Sequence, residues 1–389
     1  MPKSTISSAN FADTKPHYEL LDGLRGVAAI LVLFYHIFEG FSFAAVTNGD
    51  GDGIITTLNH GHIAVDFFFI LSGFVISYAY DDRWGRMTTA AFFKRRLIRL
   101  HPMLVMGAII GTIAFAVTGF TKWDGTTAPT GWVMAALLLT IFIIPAIPGI
   151  PYEVRGNGEI FPLNGPSWSL FFEYIGNILY ALFIRRLPTK ALAALAVLLG
   201  ITHAWFFIGN VSGYDMIGVG WTIDEVNFWG GLVRMLFPFT MGMLIARNFR
   251  PRKVKGAFWI CSIMLVVLFS VPYIGPADNI SINSLYEFIC IAAVFPFIVW
   301  LGACGSCGNA CTAKANKLLG EISYPLYIVH YPIMYLFYAW LIEKKIYTLQ
   351  DCLGTALLVV ASSIMLAFLC LKLYDEPVRQ WLGKTFIKR

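Results

Sequence analysis

Apolar runs long enough to cross a lipid bilayer recur from one end of the 389-residue chain to the other. A helix needs about 20 mainly apolar residues to span the hydrocarbon core, where every backbone polar group has to be bonded internally. Hydrophobic residues make up 57% of the chain and charged residues only 13%, about half the charged share of a soluble domain. The sequence therefore predicts an all-α, polytopic integral membrane helical bundle.

About ten transmembrane helices are predicted, and loop charge orients them, because Lys and Arg are retained on the cytosolic side. The loops 44–60, 209–228 and 275–284 carry acidic residues without Lys or Arg and are expected outside, whereas 247–255 is basic. Both termini are then cytosolic. The predicted spans are 22–43, 61–80, 97–119, 167–186, 189–208, 229–247, 256–274, 285–302, 320–341 and 352–373.

The apolar segment 131–148 is predicted to be re-entrant or interfacial. The basic loops on either side of it require an even number of crossings, and Pro145 and Pro148 interrupt its end. The expected division is a cytosolic tail over 1–19, a membrane domain over 20–374 and a cytosolic tail over 375–389.

Two other classes of site are not expected. The net charge of +6 is attributed to topology-setting loops rather than to nucleic-acid binding. Cys304, Cys307 and Cys311 lack a second pair of ligands at metal spacing, so no metal is predicted.

Arg25 and His36 lie eleven residues apart in the first span. Eleven residues make about three helical turns and a rise of about 16 Å, so both side chains project from one face, Arg25 near the cytosolic surface and His36 near the midplane. An ionisable residue at that depth indicates a functional site, since a neutral imidazole exchanges protons near pH 7. The alternative is a histidine that only packs between helices.

A second polar group is the basic stretch with Arg95, Arg96 and Arg99, at the cytosolic end of the third span. Arg96 and Arg99 are three residues apart and share a helix face, and arginine forks suit phosphate oxygens. The stretch predicts a phosphorylated cytosolic ligand, or alternatively serves only as a topology signal.

Further polar residues occur inside three other spans and are expected to converge in the bundle interior, because lipid-facing positions are too costly. For Glu173 the open alternative is a structural ion pair with an arginine on another span. Together the groups indicate a polar path from a basic cytosolic mouth to an acidic outer face. They are Asp66 and Ser72, then Ser169 and Glu173, and then Ser323, Tyr327 and His330.

Five segments in order resemble the acyltransferase-3 family, bacterial membrane enzymes that O-acylate glycans and related acceptors. The similarity covers essentially the whole chain. The segments are Leu21 to Gly26 with His36, Val65 to Phe74, Lys94 to Pro102, Pro166 to Glu173, and Ser323 to His330.

This resemblance implies an acyl-CoA donor reached from the cytosol, acetyl-CoA by default, and a glycan or glycolipid acceptor at the outer side of a bacterial inner membrane. It implies a catalytic role for His36 and donor-binding or structural roles for Arg25, Arg96 and Arg99. Glu173 and His330 match further family positions and, together with Arg25, are included among the candidate catalytic residues. Membrane lipid and a separate extracytoplasmic transferase are the other expected partners.

The predicted mechanism places the donor phosphates at the basic stretch and the thioester at His36, which is either a general base or an acyl carrier. Arg25 is expected either to steady the donor or to pair with Asp22 and so shape the entrance. The acceptor side would include Asp66, Trp168 and Ser169. Outer-loop aromatic residues that could stack on sugar rings are Trp123, Tyr214 and Trp221, although an interfacial aromatic belt would place them there too.

A transporter of a small anionic solute would use the same polar path. No internal repeat or pair of broken spans of the transporter kind is evident in the sequence. A non-enzymatic membrane scaffold, the third class, has no need of midplane histidines.

Overall fold

The computed structural model describes residues 18–49, 58–250, 252–274, 281–305 and 310–387, which contain no β-strand. Most of the predicted tail 1–19 and Cys307 of the cysteine cluster lie outside these ranges. The helices are α1 Glu19–Thr47, α2 Ala64–Tyr80, α3 Thr89–Val117, α4 Thr130–Ile141, α5 Ser167–Leu182, α6 Thr189–Ile208, α7 Asn227–Asn248, α8 Ala257–Ser270, α9 Ile282–Ile289, α10 Phe295–Cys304, α11 Ala310–Lys344, α12 Leu353–Cys370 and α13 Glu376–Phe386.

Within the described ranges, nine helical segments are long and apolar enough to cross a membrane, which confirms the polytopic helical bundle. Of the ten predicted spans, only α8 falls short, with 14 residues and a length of about 21 Å. Its flanks nevertheless reach opposite ends of the bundle. The Val254 amide bonds the Cys304 carbonyl at the end of α10, and the Tyr273 amide bonds the Leu58 carbonyl before α2.

The helix α4 enters the bundle from one end and returns to that end. On its two flanks, the Trp123 amide donates to the Arg155 carbonyl at 3.2 Å, so the chain before and after α4 meets. Between them, Ile141 at the end of α4 lies at the His101 side chain, near the middle of α3. With only 12 residues, α4 is too short to cross. This path is the re-entrant one predicted for 131–148.

Two helix pairs form the centre, α1 against α11 and α2 against α7. Small residues let their backbones approach: Gly26 abuts the Leu319 backbone, and Gly73 and Gly242 abut the carbonyls of Phe239 and Ile70. A Cβ atom at these glycines would overlap backbone atoms, so the close packing depends on glycine. The α1–α11 pair turns the Arg25 and His36 face of α1 toward α11.

The helix α12 continues into α13 through a π-helical turn at Leu371–Asp375. The chain therefore stays helical across the domain boundary predicted at residue 374. From there α13 returns along α3, which brings the end of the described chain to the basic stretch.

Candidate active site

Two adjoining cavities lie between the central helices, and we name them inner and outer after the membrane faces predicted from loop charge. The inner cavity has a volume of about 130 Å³ and the outer about 460 Å³. Val65 and Tyr327 line both, so the cavities meet there. Besides Tyr327, the polar residues of the inner cavity are Arg25, Ser72, Arg96, Arg99, Ser169, Glu173, Glu321, Ser323, Tyr324, Asp375 and Arg379. Those of the outer cavity are Tyr35, His36, Glu39, His62, Asn157, Glu159, Arg234, Tyr331, Tyr335 and Tyr338.

Arg25 is held in place by two helices at the inner cavity. Its Nη2 lies 3.1 Å from Asp22 Oδ1, so the pairing that the sequence offered as one of two roles for Arg25 is present. Its Nε donates to Ser323 Oγ at 2.8 Å, which ties α1 to α11. The guanidinium is thus fixed on one wall, with its charge partly balanced by Asp22.

Arg96 and Glu173 form an ion pair across the inner cavity. Arg96 Nη2 lies 2.6 Å from Glu173 Oε1, and Ser72 donates to the same oxygen at 2.9 Å. The alternative left open for Glu173, an inter-span pair with an arginine, is therefore present. Arg99 is exposed at the cavity rim, and within the described residues it has no hydrogen bond or ion pair.

Arg95 is not brought to this cavity. It points to a separate surface formed with Tyr80, Arg83 and Arg86, and it donates to the Ala91 carbonyl at 3.2 Å. Consecutive helix residues are about 100° apart, so Arg95 and Arg96 cannot share a face.

In the outer cavity, His36 is paired with Glu39, one turn further along α1. His36 Nδ1 lies 2.7 Å from Glu39 Oε2, and Tyr338 OH lies 2.9 Å from the same oxygen and 2.7 Å from the His36 carbonyl. A carboxylate at Nδ1 favours the tautomer with a proton there and leaves Nε2 as the basic nitrogen. Glu39 was missed in the sequence analysis, although its spacing of three residues from His36 was a usable signal.

His330 lies directly beside His36, with ring centroids 5.2 Å apart. It is fully buried and its Nδ1 lies 2.9 Å from the Leu326 carbonyl. Its Nε2 has no hydrogen-bond partner in the described part of the chain. The two predicted histidines are therefore adjacent, but only His36 lines the cavity.

A hydrogen bond separates the two cavities. Ser169 Oγ and Tyr327 OH lie 2.7 Å apart, between the Arg96–Glu173 pair and His36. Trp168, the neighbour of Ser169, faces the outer cavity. The start of α5 thus contributes to both cavities, and this bond lies where they adjoin.

Asp66 lies away from both cavity linings. It is fully buried, and its two oxygens lie 3.0 Å from Arg234 Nε and 2.9 Å from Arg234 Nη2. Asp66 therefore balances Arg234, whose guanidinium lies 5.1 Å from the ring of Trp168 on the outer-cavity wall. Sequence reasoning missed Arg234, because nothing local links it to a residue on α2.

Aromatic side chains form much of the outer wall. Trp123 and Trp221, from the predicted outer loops, line it together with Trp168, whereas Tyr214 does not. The loop after α4 adds Glu159, which accepts a hydrogen bond from Tyr335. Burial raises the pKa of Glu159 to about 7.

A second buried cluster borders the outer cavity through His62. Glu287 accepts from His60 Nδ1 at 2.8 Å, from the Ile217 amide at 2.6 Å and from Tyr273 OH at 3.1 Å. Such a fully bonded carboxylate stabilises the junction between the outer loops and α9. Among the described residues, no group of three or more His, Cys, Asp or Glu side chains is arranged to hold a metal ion.

Comparison with known proteins places this bundle in a family. The acyltransferase domain family, which is the acyltransferase-3 family that the five motifs predicted, matches residues 18–374. The chain belongs to that family and is a multi-pass membrane acyltransferase. No solved structure matches it.

Relatives of known name agree with this assignment. The chain is 27% identical to acyltransferase MdmB of Streptomyces mycarofaciens, over 81% of this chain and 78% of that one. It is 33% identical to protein 2 in the picA locus of Rhizobium radiobacter, over 48% of this chain and 95% of that one. It is also 23% identical to the peptidoglycan O-acetyltransferase OatA of Listeria monocytogenes, over 92% of this chain but 55% of OatA.

Proposed function

We propose that this protein moves an acyl group, acetyl by default, from cytosolic acyl-CoA to a hydroxyl of an extracytoplasmic glycan or glycolipid. The observation that carries the proposal is the contact between two unlike cavities. Arginines line the inner one, and the His36–Glu39 pair with aromatic side chains lines the outer one. Phosphate groups favour the first environment, and sugar rings with hydroxyls favour the second.

The relatives support the acceptor class. Peptidoglycan O-acetyltransferase is the name of a relative that aligns along 92% of this chain. The chain covers 55% of the length of that relative. The separate extracytoplasmic transferase that the family resemblance implies is kept in the proposal as a partner. We also propose that the protein lies in a bacterial inner membrane.

In the proposed reaction the donor phosphates stay at the rim near Arg99, and the thioester reaches past the Ser169–Tyr327 bond toward His36. His36 Nε2 takes the proton of the acceptor hydroxyl while that oxygen attacks the thioester carbonyl. The carbon–sulfur bond breaks, and CoA leaves as a thiolate that takes up the proton. Glu39 holds the imidazole and stabilises its charged form.

A second version has His36 Nε2 attack the thioester itself and carry the acyl group to the acceptor hydroxyl. Both versions need the same imidazole, with Nδ1 bonded to Glu39 and Nε2 toward the cavity. They differ in whether an acylated protein forms before the acceptor arrives.

The test measures CoA release by purified protein in lipid vesicles, given radiolabelled acetyl-CoA and cell-wall glycan. His36→Ala is expected to lose activity by about 10²- to 10⁴-fold, the usual contribution of a general base, and to keep its donor affinity. His101→Ala, a histidine of α3 outside both cavities, is the matched control. Wild-type activity in His36→Ala would overturn the proposal. Radiolabel bound to wild type but not to His36→Ala, without acceptor, would select the carrier version.

A further inference from the structure

The C-terminal helix α13 contributes to the inner cavity although it lies beyond the family match. That match ends at residue 374. Asp375 and Arg379 follow it directly and line the cavity with Arg25, Arg96 and Arg99. Residues outside the common domain thus lie at the site where the proposed donor binds.

Arg379 is held by a buried carboxylate. Its Nη2 lies 2.7 Å from Asp375 Oδ2, and only 2% of the Asp375 side chain is exposed, against 36% for Arg379. The Arg379 Nε is buried and has no hydrogen-bond partner in the described part of the chain. The guanidinium is therefore fixed in direction but retains donors that an entering oxygen would satisfy.

The charges around the cavity leave an excess of positive charge at its rim. Arg25 is paired with Asp22 and Arg96 with Glu173 on the walls. Glu321, a further carboxylate of the cavity lining, is balanced by Lys372, whose Nζ lies 3.5 Å from its Oε2. At the rim, Asp375 pairs with Arg379 and also experiences the charge of Arg99. Two guanidinium groups thus share one carboxylate, an arrangement that favours a bound anion.

The size of the cavity determines which part of a donor reaches these arginines. A volume of about 130 Å³ is well below the roughly 300 Å³ at which sites for whole small molecules begin. The nucleotide half of a CoA donor is too large to enter, so only part of the pantetheine arm with its acyl group would lie inside. The nucleotide and its phosphates stay at the exposed end, where Arg99 and Arg379 lie.

We propose that Arg379, positioned by Asp375, binds a phosphate of the CoA donor, so that α13 is part of the donor site. This inference rests on the proposed function, specifically on acyl-CoA as donor. It adds a binding residue outside the domain that defines the family.

The experiment compares the binding of CoA, 3′-dephospho-CoA and pantetheine to the full-length protein in lipid nanodiscs. Arg379→Ala is expected to weaken CoA binding by about tenfold, the usual effect of losing one charge-assisted hydrogen bond at a partly exposed site. It should leave pantetheine binding unchanged. Arg379→Lys should be intermediate, because it keeps the charge without the fork. Lys384→Ala removes a charge from the exposed side of α13 and is the matched control.

The outcomes distinguish a failure of this inference from a failure of the proposed function. Equal weakening of CoA and pantetheine by Arg379→Ala would mean a structural role and overturn the inference, as would unchanged CoA binding. If the wild type prefers CoA to pantetheine while Arg379→Ala keeps that preference, only the inference fails. If the wild type binds no CoA, or binds pantetheine equally well, the donor assignment fails and the inference falls with it.

Discussion

The inner and outer cavities share Val65 and Tyr327 but differ in chemistry. In the inner cavity, three arginines are paired with carboxylates, Arg96 with Glu173 on another helix and Arg25 and Arg379 with residues one turn before them. The outer cavity is more than three times larger and surrounds an imidazole with tyrosine and tryptophan side chains. A small, charged and rigid space recognises a ligand by its charge, whereas a large aromatic space accommodates a substrate beside a base.

This difference separates binding from chemistry along the path. Changes in the inner cavity should act mainly on donor affinity, and changes in the outer cavity mainly on turnover. A transporter would not show this division, because both cavities would then contribute to the passage of one solute. Measurements of KM for the donor and of kcat in single variants test the comparison directly.

The largest effect in this comparison is expected from Glu39→Gln in the outer cavity. The amide keeps the size of the side chain but no longer stabilises a charged imidazole, and it can select the wrong His36 tautomer. We expect kcat to fall by about 10- to 100-fold, less than the full general-base contribution, with donor affinity unchanged. CoA release under saturating donor is the measurement.

The control for this variant is Glu343→Gln, an exposed glutamate near the end of α11, which should leave kcat unchanged. A Glu39→Gln protein that lost donor affinity but kept its kcat would reverse the assigned roles of the two cavities. Full activity would mean that Glu39 is only a structural partner of Tyr338.

A smaller effect, on binding, is expected from Arg99→Ala at the inner rim. Arg99 is exposed and has no ion pair within the described residues, so its removal leaves no buried carboxylate without a partner. The Kd for CoA should rise by about tenfold, while kcat stays within about twofold. Titration of CoA and steady-state rates measure the two quantities. The control is Lys190→Ala. Lys190 is exposed and faces the cytosol in the predicted topology, so this variant should change neither the Kd for CoA nor kcat.

The sequence was sufficient where regular geometry decides the outcome. Apolar length predicted the spans, and helical periodicity placed Arg25 and His36 on the face that meets α11. The parity of crossings predicted that 131–148 does not cross, and α4 confirms it. The short α8 differs from its predicted span because residues 271–273 are extended, pairing with 58–60.

The sequence was insufficient where partners come from distant segments. Arg96 and Glu173 are 77 positions apart, and Asp66 and Arg234 are 168 apart. No local pattern decides which arginine neutralises which carboxylate. The sequence therefore did not indicate that Asp66, which we predicted on the acceptor side, forms an ion pair with Arg234. For the same reason, the sequence did not predict that Asp375 and Arg379 line the inner cavity. They lie in the predicted tail, and α13 brings them back to the cavity.

The smallest effect is expected at Glu159, a carboxylate of the outer cavity. Among the described residues, no arginine lies in ion-pair contact with it. It accepts from Tyr335, and burial raises its pKa to about 7, against about 4.3 when unfolded. The folded protein therefore binds this proton more tightly, so the stability that it contributes is complete below about pH 4.3 and is lost as pH rises through about 7.

Glu159→Gln keeps a neutral side chain at every pH and so removes this loss. The variant should resemble wild type at pH 5 and exceed its Tm by roughly 2–4 °C at pH 8, measured by thermal unfolding in the same detergent. Glu225→Gln, on an exposed outer loop, should show no such trend. A Tm difference that stays constant from pH 5 to pH 8 would mean that Glu159 is already ionised in the fold. The outer cavity would then hold a further buried charge besides the His36–Glu39 and Arg234–Asp66 pairs, and its contrast with the ion-paired inner cavity would be weaker.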